Sequence, residues 1–487
     1  MKSQHSASYI LLLIFCLVLS ISRSAVASHA VGGEITYTHL LGNNYLIHVT
    51  FYRDCYGIAA PGSMTVNISS NQCAVSTSLA LIPIPGTGQE YTHVCAGLLT
   101  NCQGGTVPGF QKWEYENTFA FPAQCADWLI STDISARNAA ITTIQNPSAS
   151  NIYLEARLNN SSNDNSSPVF TINPIMMMCI NMDLHFNNGV IDADGDSLVY
   201  SLIPSRIAPN TNVTYLPPYS AQHPISSMPD FALDSITGDV FVHPTAPEVG
   251  VITYEVMDYR NGELMGSVIR DVIVYTVLCT NELPELSGVF GTNLFTIYVL
   301  PDVPFCFDVF SSDFNNGDSI SLTWNNAIPG ATFTSAGNPF PTGTFCWTPT
   351  LNDVRPQPYT FTVEVLDNAC PRNGEQVYSY NIFVTQDSSL ITPLQTLGYF
   401  SGKEISAETA TTIPNPFHDR AEILLDKSWA ADESILQVMN IFGDLVFAKN
   451  FKGTSVKFSR GKLPASIYFY EVRNKKGKHA VGKFVIE

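Results

Sequence analysis

Lysine is missing from a long central stretch: none occurs between Lys112 and Lys403, and from Ser28 to Gly402 there are only 9 basic residues against 32 acidic ones. Binding to a phosphate backbone rests on Lys and Arg releasing condensed counterions, so this stretch is unsuited to nucleic acid, and anionic membrane surfaces are excluded on the same ground. Divalent cations, cationic partners and neutral glycans are left. No C-x-x-C is present, which argues against zinc ribbons and thioredoxin-like redox chemistry. G-x-S-x-G, H-E-x-x-H and G-x-x-x-x-G-K-[ST] are absent too, and with them the local signatures of three large enzyme classes. Beyond the amino terminus no apolar run reaches the roughly 20 residues of a membrane helix, and no long helical period appears.

Cysteine is present and evenly counted. Residues 1–27 read as a signal peptide, with Lys2, an apolar run from Tyr9 to Ile21, and Ala25-Val26-Ala27 as a cleavage site. The exported product is expected to start at Ser28 and to carry no transmembrane segment. Cys16 follows Phe15 inside the apolar run, where lipid attachment would need a small residue. The ten remaining cysteines are an even number in an exported chain, which favours disulfides. Six lie early (Cys55, Cys73, Cys95, Cys102, Cys125, Cys179) and four late (Cys279, Cys306, Cys346, Cys370), so each region is expected to close its own bridges.

The pattern of the mature chain is all-β. Val31 to Tyr52 reads as a hairpin turning at Gly42-Asn43-Asn44. Short β-rich runs follow, among them Met64–Ser69 and Ile141–Ile144. Ala126–Ile134 reads as one or two helical turns, and the polar run Asn159–Pro168 as a loop or linker. Two stretches then repeat one plan. The first holds Asp192–Leu202, Phe231–Pro244 and Ile252–Gly262; the second answers with Asp313–Trp324, Pro341–Pro349 and Tyr359–Asn368. The sequence D-x-x-G-D-S, then T-G-x-F-x-x-x-P, then Y-x-V-x-D, followed with looser spacing from copy to copy, resembles cadherin-like and immunoglobulin-like repeats of bacterial surface proteins, which implies tandem β-sandwiches.

The tail has a second resemblance. Its blocks are Pro414–Phe417 (PNPF), Ile435–Phe447 (ILQVMNIFGDLVF) and Ile467–Glu487 (IYFYEVRNKKGKHAVGKFVIE). In that order they resemble the type A C-terminal sorting domain of the type IX secretion system, although LPASIY places Ser466 and Ile467 where that family usually has Gly before Tyr468. Of the 24 Lys and Arg residues, 13 lie from Lys403 onward, marking the same boundary. The resemblance implies the type IX secretion machinery as partner and delivery through the periplasm to the outer surface or exterior of a Gram-negative bacterium. The expected order is a signal peptide (1–27), a cysteine-rich β domain (28–168), two cadherin-like or immunoglobulin-like repeats (169–278 and 279–386), a linker (387–413) and a small β-sandwich sorting domain (414–487).

Chemistry is sparse. Asp192, Asp194 and Asp196 alternate around Gly195 and could wrap a hard cation, with calcium the expected cofactor; Asp, Gly and Ser also make metal-free turns, and the two readings stand side by side. In the second repeat Asn315 and Asn316 replace charge, and the plain turn leads. Gly195-Asp196-Ser197-Leu198 spells an esterase string but lacks the strand-to-helix setting that such a serine needs. His48, His93 and His185 are isolated. Trp324, Trp347 and Met176-Met177-Met178 read as packing. Cys306 is expected to pair with Cys346, because each alternates with inward aromatics on neighbouring strands; that leaves Cys279 for Cys370 and turns Cys179 to the amino-terminal set. The expected function is a non-catalytic surface protein, engaging an unidentified surface protein or glycan in adhesion. A hydrolase with its site in 28–167 and a glycan-binding accessory protein are the alternatives.

Overall fold

The computed structural model describes residues 30–315, 317–388, 390–391, 408–429, 433–440, 445–474 and 479–486. The expected signal peptide and most of the expected linker lie outside the described residues. Secondary structure is strand throughout, apart from short 3-10 turns.

The hairpin forms as expected: Ala30–Leu41 (β1) pairs with Asn44–Asp54 (β2), and Gly42 supplies the left-handed turn residue at φ 58°. Next come Met64–Ser70 (β3), Val75–Pro83 (β4), Phe110–Ala120 (β5), Trp128–Ile134 (β6), Ile152–Leu158 (β7), Met177–Cys179 (β8), Ser197–Leu202 (β9), Glu248–Arg260 (β10) and Glu263–Val277 (β11). Strands β1, β2, β5, β4, β3, β6, β7 and β11 pair in that order, and β11 pairs back to β1, closing an antiparallel ring. Its core holds Ile35, Tyr37, Val49, Tyr115, Trp128 and Leu154. The helical expectation for Ala126–Ile134 is corrected here. Trp128, Ile130 and Ile134 alternate inward between β3 and β7, so a period of two prevails over local helical propensity.

Strand β11 is paired along both edges. One edge runs the length of β10; the other meets β7 at Gly266–Val268, β1 at Arg270–Val272 and the parallel β8 at Tyr275–Val277. Pairing thus crosses the line expected at residue 168. The seam with β1 is tight, since a Cβ on Gly32 would lie 2.4 Å from the Asp271 carbonyl oxygen. Two adjacent residues of β11 carry opposite buried charges. Arg270 grips Glu34 with two hydrogen bonds of 2.9 Å, donates to Tyr52 and lies over the Phe170 ring; Asp271 receives two bonds of 2.7 Å from Arg137 and one from Thr253.

The β8–β11 pairing also corrects two disulfide expectations. Cys179 lies opposite Val277, two residues from Cys279, and these two cysteines are bonded to each other. Cys179 therefore does not join the amino-terminal set, and Cys279 does not pair with Cys370. Cys55–Cys102 and Cys73–Cys125 close within the first region.

In the second repeat, Glu285–Leu286 (β12), Thr296–Val299 (β13), Phe305–Ser312 (β14), Ser321–Trp324 (β15), Thr332–Ala336 (β16), Thr342–Trp347 (β17), Tyr359–Leu366 (β18) and Glu375–Val384 (β19) form two four-stranded sheets, β12-β14-β17-β16 and β13-β19-β18-β15. The second sheet has the plan of β8-β11-β10-β9 in the first repeat: a parallel edge pair followed by two antiparallel pairs. Cys306 and Cys346 sit directly opposite and are bonded, while Phe305, Phe307, Phe345 and Trp347 turn into the core as the alternation requires. Trp324 packs against that core.

The tail folds into two sheets around Trp429, Tyr468, Tyr470 and Phe484. Glu408–Thr409 (β20), His479–Ile486 (β27), Ser466–Asn474 (β26), Glu433–Met439 (β23) and Leu445–Lys452 (β24) make one; Thr411–Ile413 (β21), Arg420–Leu424 (β22) and Ser455–Ser459 (β25) make the other. Within LPASIY, Ser466 and Ile467 are the first residues of β26, and Tyr468 donates its hydroxyl to the Pro464 carbonyl. Gly443 and Gly477, which the sequence pattern reads as turns between strands of the tail, lie outside the described residues.

Removing one partner of a buried ion pair strands the other charge. Arg270→Met should therefore destabilise the chain by about 3–5 kcal/mol, read by urea unfolding, whereas Arg157→Met, at a half-exposed guanidinium, should change it by under about 1 kcal/mol. Equal losses would remove the buried pair from its structural role.

Candidate functional site

The pairing of β9 with β10 places Leu198 opposite Asp258. It therefore brings the acidic turn that precedes β9 against the end of β10, where Asp258 and Arg260 lie. One ligand oxygen from each of Asp192, Asp196 and Asp258 falls within 4.8 Å of the others. Asp194, the third residue of the expected set, turns aside: its Oδ2 accepts the Ser166 N–H at 2.6 Å and lies 3.3 Å from Arg260.

The run Asn159–Pro168, expected as a loop or linker, is a loop that is built into this site. Asn160, Asn165 and Ser167 are buried, and Ser167 exchanges backbone and side-chain bonds with Tyr37. Its polarity serves hydrogen bonding inside the protein. Asn165 Nδ2 donates to Asp258 Oδ2 at 2.7 Å. Arg260 draws the groups together by donating to both Asp196 oxygens, the Asn165 side-chain oxygen and the Asp164 carbonyl. Gly266 faces Asp258 across the β10–β11 pair, and a Cβ there would lie 2.3 Å from the Tyr37 hydroxyl and 2.9 Å from Asp258 Oδ1. The missing side chain is what makes room for the carboxylate.

Electrostatics leave the cluster unsettled. Asp192 Oδ1 accepts the N–H groups of Asp194 and Asp196, at 3.0 and 2.9 Å. Its Oδ2 and the Oδ1 of Asp258 are buried and have no hydrogen-bond partner among the described residues. Burial, reinforced by the neighbouring carboxylates, pushes Asp192 up to about 6 and Asp258 up to about 7. Of the clustered carboxylates only Asp196 bonds to the Arg260 guanidinium, and every free donor atom is a hard oxygen, the ligand type of calcium and magnesium.

Asp258, Asn165 and Arg260 were missed as site residues, although a signal existed. Asp258 closes a V-x-D element, Val256-Met257-Asp258, that recurs in the second repeat as Val365-Leu366-Asp367. The other candidates stay apart from this cluster. Ser197 heads β9 and so stands at the start of a strand, outside a strand-to-helix turn. His48 is 3.6 Å from Glu114, and burial holds its pKa below the ordinary histidine value. His185 stacks on Tyr378.

At the other end of the chain, the family model described as "Secretion system C-terminal sorting domain" matches residues 411–487. That stretch is a sorting domain, and the chain is handled by the type IX route to the cell surface or exterior. Similar solved structures include dimeric latent PorU from Porphyromonas gingivalis (13% identity, 64% of this chain and 32% of that one, TM-score 0.17). The tandem immunoglobulin repeats of Dlar (10%, 45% and 95%, TM-score 0.19) and mouse clustered PcdhgC3 EC1-3 (10%, 60% and 88%, TM-score 0.16) are others. The chain spans about a third of the PorU chain, and likenesses at such TM-scores carry no argument about function. No curated protein matches the chain. No helix among the described residues is long and apolar enough to cross a membrane.

The raised carboxyls set a pH dependence. Against an unfolded aspartate near 3.9, the folded chain holds extra protons; that stabilisation is complete below about pH 4 and is lost as pH rises through about 6 and then about 7. In chelator, the melting temperature should fall between about pH 5 and pH 8, and Asp258→Asn should flatten the fall. A profile with the same slope in both proteins would remove Asp258 from the effect.

Proposed function

We propose that this chain, carried outward by its sorting domain, is a non-catalytic surface protein whose first repeat takes calcium and whose role is adhesion or another surface interaction. One observation carries the cation: two buried carboxylate oxygens, Asp192 Oδ2 and Asp258 Oδ1, lack partners beside Asp196. A hard divalent ion would be held by Asp192, Asp196 and Asp258. It would relieve their mutual repulsion and brace the turn against the Asn159–Pro168 run, where Arg260 and Asn165 already meet them. The chemistry supplied is charge neutralisation and cross-linking; no reaction step is assigned. Adhesion rests on the organisation: stiffened β-sandwich repeats delivered to the surface suit a scaffold that presents contact faces.

Binding to the native state alone stabilises by about 3 kcal/mol at a hundredfold excess over Kd. Millimolar calcium should therefore raise the melting temperature of the full chain at about pH 7.5, magnesium should do so less, and Asp258→Asn should abolish the rise. An unchanged melt with calcium would sink the cation reading. Delivery is tested separately: deletion of 411–487 should strand the protein in the periplasm, and normal surface exposure of that truncation would contradict export through the tail.

A further inference from the structure

The second repeat builds a related constellation on a turn that is one residue longer, Asp313 to Asp318 against Asp192 to Asp196. In the first, Asn165 of Asn165-Ser166-Ser167-Pro168 donates Nδ2 to Asp258; in the second, Asn281 of Asn281-Glu282-Leu283-Pro284 donates Nδ2 to Asp367, again at 2.7 Å. Asp258 faces Gly266, and Asp367 bonds through its N–H to the Gly374 carbonyl. A Cβ on Gly374 would lie 2.5 Å from the Asp367 carboxylate and 2.9 Å from Asn281 Nδ2, so this glycine makes the room that Gly266 makes. Asp313 matches Asp192: its Oδ1 accepts an N–H two residues on, from Asn315 at 2.8 Å, and its Oδ2 is buried without a partner among the described residues. Asp318, the Asp of Gly317-Asp318-Ser319, matches Asp196. One oxygen each from Asp313, Asp318 and Asp367 lies within 4.8 Å of the others.

Three differences separate the copies. Asp367 Oδ1 accepts the N–H groups of Ala369 and Gly374, at 2.9 and 2.7 Å, where Asp258 Oδ1 has no partner among the described residues. Asn165 Oδ1 accepts from Arg260, whereas Asn281, only 8% exposed and tied to Asp367 through Nδ2, leaves its Oδ1 without a partner. Both Asp196 oxygens are taken by the Arg260 guanidinium. The Asp318 carboxylate has no hydrogen-bond or ion-pair partner among the described residues, and the charges acting on Asp313 are the carboxylates Asp367, Asp318 and Glu282. Among the described residues, no guanidinium bonds to the second cluster as Arg260 bonds to the first.

We propose that Asp313, Asp318, Asp367 and Asn281 form a second divalent-cation site, which takes calcium more tightly than the first because no guanidinium competes for its oxygens. The choice of calcium rests on the reading of the first repeat; the site itself rests on its own orphaned oxygens. Three carboxylates and an amide oxygen are hard donors, suited to the six to eight oxygens and irregular geometry that calcium accepts and magnesium does not. With no nitrogen or sulfur ligand, the set is a poor one for zinc.

The test is calcium titration of the full chain by calorimetry, with native mass spectrometry to count bound ions. Two ions are expected. Asp318→Asn removes a carboxylate charge that repels Asp313 and has no hydrogen-bond partner among the described residues, so the melt in chelator should not fall while the tighter site weakens by about tenfold or more; Asp258→Asn should remove only the weaker site, and Arg260→Gln should tighten it. A single ion lost in Asp258→Asn and kept in Asp318→Asn would overturn the second site and leave the first-repeat reading standing. A single ion lost in Asp318→Asn alone would uphold the second site and overturn the first. Two ions with the tighter one lost in Asp258→Asn would overturn the proposed order, and no bound calcium at all would overturn both sites.

Discussion

The first part of the structure depends on a constraint carried by two neighbouring residues. Arg270 and Asp271 follow one another in β11, so their side chains leave the strand on opposite faces, and each must find its counter-charge in the dark. Glu34 meets one and Arg137 the other, with all four residues essentially closed to solvent. A one-residue slip of β11 against β1 would exchange the faces and leave buried charges unpaired, which is several kilocalories of penalty per ion. Hydrophobic alternation along β11 is nearly continuous and fixes register weakly by itself; the charges make the register unique. Because β11 pairs on both edges, fixing it also fixes the ring and the sheet of the first repeat.

Local pattern made much of this legible in the sequence. The β1–β2 hairpin, the alternation around Cys306 and Cys346 and the two-sheet tail depend on neighbours in the chain, and each formed as the period of two required. What was hidden depended on distant pairing. Trp128–Ile134 became a strand because β3 and β7 flank it. Cys179 found Cys279 because a three-residue strand runs parallel to the end of β11, an arrangement that leaves almost no trace in composition.

The cation cluster was half legible for the same reason. The turn Asp192–Asp196 declared itself through spacing, but the residue of the cluster whose pKa is pushed highest, Asp258, lies some sixty positions downstream and arrives through the β9–β10 register. Asn165 was obscured by its setting: a run of Asn, Ser and Asp reads as solvent-facing, and only the folded chain reveals that Asn160, Asn165 and Ser167 spend their polarity inward. Comparing the two repeats recovers both residues, since an Asn-x-x-Pro leads into each copy and a V-x-D, at Val256–Asp258 and Val365–Asp367, lies toward the end of the matching strand.

The Cys179–Cys279 bond has a mechanical meaning. A protein held at a cell surface by one end and by a partner elsewhere is loaded in tension, and a polypeptide lengthens under load by paying out unfolded chain. The bond spans 100 residues, which at about 3.3 Å per residue amounts to roughly 330 Å of contour. That length is locked: even if β9, β10 and β11 were torn apart, force would pass through the sulfur atoms and bypass the loop. The first repeat is thereby an inextensible link, whose failure under load is set by covalent chemistry and no longer by the strength of its sheets.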